Sequence, residues 1–138
     1  MDETKDLGRA VVLVVEDEPL VRMLAADIPE EEGFEVVEAA TATAALAILE
    51  KREDVTALFT DIDMPGGMNG LELAAVVNER WPHIALVVTS GVFRVGADKL
   101  PGDGVFIEKP YATSAPVRVI REMIRHKAAI SHHLTRRS

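Results

Sequence analysis

An unbroken run of β-branched and aliphatic residues, Val11-Val-Leu-Val-Val15, restricts the fold of this chain more than any other stretch. It shows no polar alternation, so as a strand it has to be buried on both faces. That is the condition inside a parallel sheet covered by helices on either side. Val55-Thr-Ala-Leu-Phe-Thr60, Ile84-Ala-Leu-Val-Val88 and Val105-Phe-Ile107 have the same character. Phe34-Glu-Val-Val-Glu38 is more polar and suits a sheet edge. Between these runs lie apolar residues at helical spacing: Leu20, Val21, Leu24 and Ile28; Ala45, Ile48 and Leu49; Leu71, Leu73, Ala74 and Val77; Val117, Ile120 and Ile124. Strands alternating with helices predict an α/β domain, a doubly wound five-stranded parallel sheet with helices on both faces.

Helix boundaries follow from local chemistry. Pro19 suits a first turn, and Pro29 is expected to end or kink the first helix near Ile28, because an interior proline costs roughly 3 kcal/mol. Thr41 or Thr43 caps the second helix and Asn69 or a neighbour starts the third, which Trp81-Pro82 stops. Thr113 or Ser114 caps the last, with Pro116 in its tolerant first turn. From Val92 to Gly104, three glycines (Gly96, Gly102 and Gly104) and Pro101 leave room for one short helix at most.

At 138 residues the chain is long enough for one domain with a real core. The expected organisation is a flexible tail at 1–9, the domain at 10–127 and a basic tail at 128–138. There is no run of about 18 apolar residues and no basic-then-apolar leader, so neither a membrane span nor a signal peptide is expected. The absence of cysteine excludes disulfides, thiolate metal sites and thiol catalysis. A cytoplasmic protein fits. The net charge of −8 is uneven: from Val117 onward there are six basic residues and one acid, leaving nine of the 15 basic and 22 of the 23 acidic residues before it. An acidic body disfavours direct nucleic-acid binding, and the basic end suits a helix C-terminus.

Right-handed crossovers put the carboxyl ends of parallel strands along one edge. The residues ending the first, third, fourth and fifth strands are Glu16-Asp17, Asp61, Thr89 and Lys109. Asp61 is followed by Ile62 and a turn-rich loop, Asp63-Met64-Pro65-Gly66-Gly67. Two carboxylates about 5 Å apart repel by roughly 3 kcal/mol at an effective dielectric near 20, so three together raise one another's pKa values or recruit a cation. Oxygen ligands without His or Cys point to a hard ion, Mg²⁺. Cations flanking Asp61, with a hydroxyl from Thr89, make a site for a phosphoryl group on Asp61 itself. Taken singly, each residue has an ordinary account: Glu16-Asp17-Glu18 as a helix N-terminus, Asp61 as a turn former, Thr89 as a β-branched strand residue, Lys109 as a solvated charge, Phe106 as core. His83 reads as a surface loop residue and His132-His133 as tail. Four strand ends carrying compatible chemistry in order favour the functional account.

The stretches Val12-Leu-Val-Val-Glu-Asp-Glu18 with Pro19, Thr60-Asp-Ile-Asp-Met-Pro65, Val87-Val-Thr-Ser-Gly91 and Glu108-Lys-Pro-Tyr111 together resemble the receiver domain of two-component response regulators, over about residues 10 to 127. The resemblance implies a flavodoxin-like sheet in the order 2-1-3-4-5. It implies that Asp61 is the phosphoacceptor, that Asp17 and Asp61 bind one Mg²⁺ directly, that Glu16 binds it through a water and that Asp63 lends a backbone carbonyl. Thr89 matches the switch hydroxyl, Lys109 the lysine that pairs with the phosphoryl oxygens and Phe106 the switch aromatic. Lys109-Pro110 stands where the family usually has a cis peptide. The implied partners are a histidine kinase or histidine phosphotransfer protein and a downstream protein target. After phosphorylation the face of the fourth helix, fifth strand and fifth helix is remodelled, and dimerisation is one outcome.

Three features depart from the family pattern. Met64-Pro-Gly-Gly-Met-Asn-Gly70 has one residue more than the commonest loop and Asn69 where Asp is usual, so a wider turn is expected. The Val92–Gly104 stretch is short, so the fourth helix is one or two turns or mobile. No DNA-binding or enzymatic segment follows Lys127 in this chain, so the expectation is a stand-alone receiver or a piece of a longer protein. Two alternatives compete. Leu58-Phe-Thr-Asp-Ile-Asp63 also resembles the Asp-x-Asp loop of haloacid-dehalogenase-type phosphatases, with Asp61 as nucleophile and Asp63 as acid/base. That family, however, needs an acidic pair after its lysine, and here only Glu122 follows Lys109. The other alternative is a non-phosphorylated docking scaffold, which has no need of Asp61, Thr89 and Lys109 together.

Overall fold

The computed structural model describes residues 10–92, 95–111 and 114–137. Five strands run in the chain: β1 Val11–Val15, β2 Glu35–Ala39, β3 Val55–Asp61, β4 Ala85–Ser90 and β5 Val105–Glu108. They form one parallel sheet in the order β2-β1-β3-β4-β5. The four α-helices are α1 Pro19–Glu31, α2 Ala42–Lys51, α3 Gly70–Arg80 and α4 Ala115–Arg137. The doubly wound arrangement, with polar β2 at an edge, is the one expected.

Alternation along β1 divides the core in two. Val11, Leu13 and Val15 face Leu49, Leu73 and Val77 of α2 and α3, whereas Val12 and Val14 face Ala25 of α1 and Val117 and Ile120 of α4. All five β1 residues are buried, as a strand covered on both faces requires. Among the described residues no helix is long and apolar enough to cross a membrane.

Thr41 is the N-cap of α2, its hydroxyl accepting from the Ala44 N–H. Asn69 caps α3 in a full capping box, its side chain accepting from the Glu72 N–H while the Glu72 carboxylate accepts from the Asn69 N–H. Trp81 closes α3 ahead of Pro82. Thr113 lies outside the described residues, and Ser114 precedes α4, its carbonyl accepting from the Arg118 N–H at 3.1 Å.

Of the two outcomes expected at Pro29, an end or a kink, the end is not found. α1 does not stop at Ile28 but runs through Pro29 to Glu31. Pro29 falls in the last turn, so its missing N–H forfeits a single bond near the end, while its carbonyl still accepts from the N–H groups of Glu32 and Phe34. Its ring is also buried, which offsets the loss. Two further expectations take definite form. Among the described residues the segment between β4 and β5 contains one 3₁₀ turn, Ala97–Lys99, and α4 continues past Lys127, so that the anticipated start of a tail falls inside a helix.

Gly70 sets how closely α3 approaches the sheet. A Cβ there would lie 2.1 Å from the Asp61 carbonyl oxygen and 2.9 Å from the Ile62 Cα, and the Gly70 N–H donates to the Ile62 carbonyl at 3.2 Å. Gly70→Ala should therefore push the start of α3 off the end of β3 and destabilise the fold by roughly 1–3 kcal/mol. Urea unfolding checks this; an unchanged midpoint would mean the contact is not held.

Candidate functional site

The carboxyl ends of β1, β3, β4 and β5 meet at the point where strand order reverses on either side of β1. Asp61 is the last residue of β3, paired in register with Thr89 on β4. Glu16 follows β1, its N–H donating to the Ala39 carbonyl at 3.1 Å. The Arg22 guanidinium holds the Glu16 carbonyl at 2.9 Å while reaching Glu38 at 3.3 Å, so α1 fixes the path of the chain just after β1. Lys109 follows β5, its N–H donating to the Ser90 carbonyl at 3.0 Å. The Lys109-Pro110 peptide is cis.

These elements bring oxygen-bearing side chains together. Glu16, Asp17 and Asp61 each place a carboxylate oxygen within 4.8 Å of the others. Glu16 and Asp61 are buried, Asp17 half-buried. Lys109 Nζ lies 3.3 Å from Glu16 Oε2 and 3.4 Å from Asp61 Oδ2. Glu16, Asp61, Thr89, Lys109 and Tyr111 line one cavity of about 10 Å³. The Thr89 hydroxyl donates to the Ile107 carbonyl at 2.6 Å. Phe106, one residue earlier on β5, is half-buried against the opposite core layer from Val105 and Ile107.

Asp63 is not one of the clustered acids. Its N–H donates to Asp61 Oδ1 at 3.3 Å, and its carboxylate accepts the Ser90 hydroxyl at 2.9 Å. Gly66 (φ 82°) and Gly67 (φ 150°) lie in the turn that follows, in backbone conformations that a side chain disfavours.

Reading the strand ends did not single out Ser90 or Tyr111. Ser90 is fully buried beside Thr89, and the Tyr111 ring packs on Phe59 with centroids 6.1 Å apart. The available signals were the extra hydroxyl in Thr89-Ser90-Gly91 and the chain's single tyrosine directly after Lys109-Pro110.

Crowding shows in the proton affinities. Burial first, and then the charge of Asp61, push the Glu16 carboxyl from its ordinary 4.5 up to about 7. Burial by itself would lower Lys109, but the charges of Asp61 and Glu16 outweigh it and hold the ammonium above the usual lysine range. Burial likewise raises Tyr111. One ammonium does not neutralise three carboxylates, and an all-oxygen donor set suits a hard divalent cation.

A family model for the response regulator receiver domain matches residues 12–114. The chain belongs to the response regulator receiver family. This receiver is 37% identical over 105 residues to a putative NtrX-like response regulator of Rickettsia bellii, covering 72% of this chain and 22% of that protein. It is 33% identical over 129 residues to the sensor kinase CckA of Brucella abortus, covering 90% of this chain and 14% of that one. The chain thus spans less than a quarter of the length of either curated relative. A CheY-like receiver from Methanospirillum hungatei shares the fold with a TM-score of 0.77 at 25% identity, 88% of this chain matching 98% of that one. NtrX from Brucella abortus does so with a TM-score of 0.78 at 27% identity, over 92% of this chain and 29% of its own.

The raised Glu16 pKa has a consequence for the metal-free receiver. The folded protein keeps this proton up to about pH 7, whereas the unfolded chain releases it near 4.5. The stability it contributes is therefore complete below pH 4.5 and is lost as the pH rises through 7. Glu16→Gln, which cannot ionise, should exceed the wild type in stability by roughly 1–3 kcal/mol above neutrality, the gap closing towards acid pH. Thermal unfolding in chelator-treated buffer across this range checks it, and equal stability at pH 8 would contradict it.

Proposed function

We propose that this receiver is a phosphorylation-dependent signalling switch in which Asp61 accepts a phosphoryl group from a phosphohistidine of a kinase or phosphotransfer protein. The observation that carries the reading is the seat of Lys109 Nζ between Glu16 and Asp61, at the mouth of a cavity that Thr89 also lines. Asp61 is buried at a strand end, aimed at that cavity and flanked by charge of both signs.

In the transfer an Asp61 carboxylate oxygen attacks phosphorus, the phosphorus–nitrogen bond of the donor breaks, and the leaving imidazole retains the bond's electron pair and takes up a proton. Asp17 and Asp61 would hold one Mg²⁺ directly, with Glu16 through a water and Asp63 through its backbone carbonyl. When bound, the cation neutralises charge on the transferring group. Lys109 turns from its two carboxylates to the phosphoryl oxygens, and Thr89 leaves the Ile107 carbonyl to donate to the same group. Phe106 is the side chain that moves in response. Two charge-assisted contacts at roughly 1.5–3 kcal/mol each are of the size needed to move an equilibrium from 1:99 to 99:1, which takes about 5.5 kcal/mol.

The phosphatase alternative requires Asp63 as an acid/base at the reacting group. Its carboxylate is instead engaged by Ser90, and the family match favours the receiver reading. Incubation with acetyl phosphate and Mg²⁺, followed by intact mass, tests the assignment. One phosphoryl group should appear on the wild type and none on Asp61→Asn. Phosphate on Asp61→Asn would refute the acceptor; rapid turnover of a general phosphate ester would favour the phosphatase, and no modification at all the scaffold.

A protein donor must cover the face around Asp61 to deliver its imidazole. Beside it α1 exposes Leu20, Met23 and Leu24, and a groove of about 670 Å³ runs between Val21, Leu24 and Ile28 on one side and Pro110 and Tyr111 on the other. An apolar helix face on the donor fits this groove. Leu20→Ser combined with Leu24→Ser should slow transfer from a protein donor by about tenfold or more and leave acetyl phosphate labelling unchanged. Equal loss with both donors would place the defect at Asp61 rather than in docking.

A further inference from the structure

A hydrogen-bonded path leaves Asp61 without passing through Thr89. The Asp63 N–H donates to Asp61 Oδ1, Asp63 Oδ2 accepts the Ser90 hydroxyl at 2.9 Å, and Ser90 Oγ accepts the Val92 N–H at 3.1 Å. Ser90 has no exposed surface, and its carbonyl is held from the β5 side by the Lys109 N–H. The second oxygen of Asp63, Oδ1, is buried and finds no hydrogen-bond partner among the described residues. Turn chemistry alone does not ask for this: a loop acid directed at solvent would serve as well and would avoid the cost of desolvation. The carboxylate is spent on a neighbouring strand end, and through it on the first backbone amide beyond Gly91.

That amide opens the connection between β4 and β5. Between β4 and β5 the described chain is held by one 3₁₀ turn, the Gly104 N–H on the Pro101 carbonyl at 3.2 Å, the buried side chain of Leu100 and the Asp103 carboxylate, which lies 2.9 Å from Lys127 Nζ on α4. The Thr89 hydroxyl points away from it, to Ile107 on β5.

We propose that Asp63 and Ser90 are a positioning pair whose side chains tie the loop after Asp61 to the start of the segment after β4, and thereby pass a change at Asp61 to Val92 and the 95–104 stretch by a route separate from Thr89. The coupling rests on the reading of Asp61 as phosphoryl acceptor; the tie itself does not. A new substituent on Asp61 changes what its Oδ1 offers to the Asp63 N–H. Asp63 then shifts with its loop, and the Ser90 hydroxyl and the Val92 N–H follow, because each has its partner in the next.

Amide-resolved hydrogen exchange on the full chain tests the pair, with and without Mg²⁺ and beryllofluoride as the phosphoryl mimic. In the ligand-free protein the Val92 amide should exchange about tenfold faster in Ser90→Ala and in Asp63→Ala than in the wild type, and no faster in the double variant. Asp63→Asn, whose amide oxygen still accepts the Ser90 hydroxyl, should restore the wild-type rate. With the mimic, Ser90→Ala should load Asp61 to wild-type stoichiometry yet lose the change in protection over 95–104. General loosening would instead speed exchange throughout β3 and β4 and would not be restored by Asp63→Asn, which would overturn the proposal. So would wild-type exchange at Val92 in both alanine variants, or a wild-type response over 95–104 in Ser90→Ala. Should the wild type take up no phosphoryl group at all, the reading of Asp61 falls, while the ligand-free comparison still decides the tie.

Discussion

Three carboxylates converging at the end of a buried sheet, with one lysine set against two of them, is the arrangement on which the rest of this receiver depends. Burial makes it costly, since Glu16 and Asp61 give up solvent to sit beside each other. The Lys109 ammonium offsets part of that cost from a strand two positions away from β3 in the sheet. A site built this way is electrostatically incomplete. It favours a bound proton, a cation or a rearrangement of charge, and these are the states that a phosphoryl switch exchanges.

The fold supplies what this crowding needs. Parallel strands covered on both faces place side chains to within the tolerance of a hydrogen-bonded ladder, and the reversal of strand order opens a crevice at their ends. The two buried acids are then held from behind. Arg22 fixes the Glu16 carbonyl, Gly70 lets α3 press against the Asp61 carbonyl, and the pairing of β3 with β4 puts Thr89 next to Asp61. The residues with reactive side chains thus contribute little to the core, which Val, Leu and Ile fill in two separate layers.

Support is distributed unevenly around the site. The α1, α2 and α3 sides have full helices with proline, threonine or asparagine at their starts, whereas the β4–β5 connection has a single 3₁₀ turn among its described residues. Few buried apolar contacts make a segment easy to displace at small free-energy cost. Its anchors, Leu100 within, Asp103 paired with Lys127 of α4 and the Asp63–Ser90–Val92 path at its start, matter more for that reason.

Much of this was legible in the chain itself. Val11-Val-Leu-Val-Val15 and its counterparts announce strands buried on both faces, because no amphipathic surface strand tolerates such a run. The acids, hydroxyl and lysine that end those strands could be named because strand direction in a parallel sheet sends them to one edge. The end of α1 could not be read correctly: Pro29 carries the local signal of a helix stop, and only its position in the last turn, with its ring buried, lets the helix pass through it. Nor could the side-chain directions around the site. Sequence order placed Asp63 two residues from Asp61 in a loop rich in turn formers, but not whether its carboxylate joins the acidic cluster or turns to Ser90. That choice, like the Thr89 hydroxyl on Ile107 and the depth of Tyr111 beside Phe59, rests on distances between strands far apart in the chain. The sequence by itself determined which strands form and which polar residues lie at their carboxyl ends, since those follow from periodicity and direction. Only the tertiary structure decided which polar groups pair, because pairing depends on ångström-scale separations that no local pattern encodes.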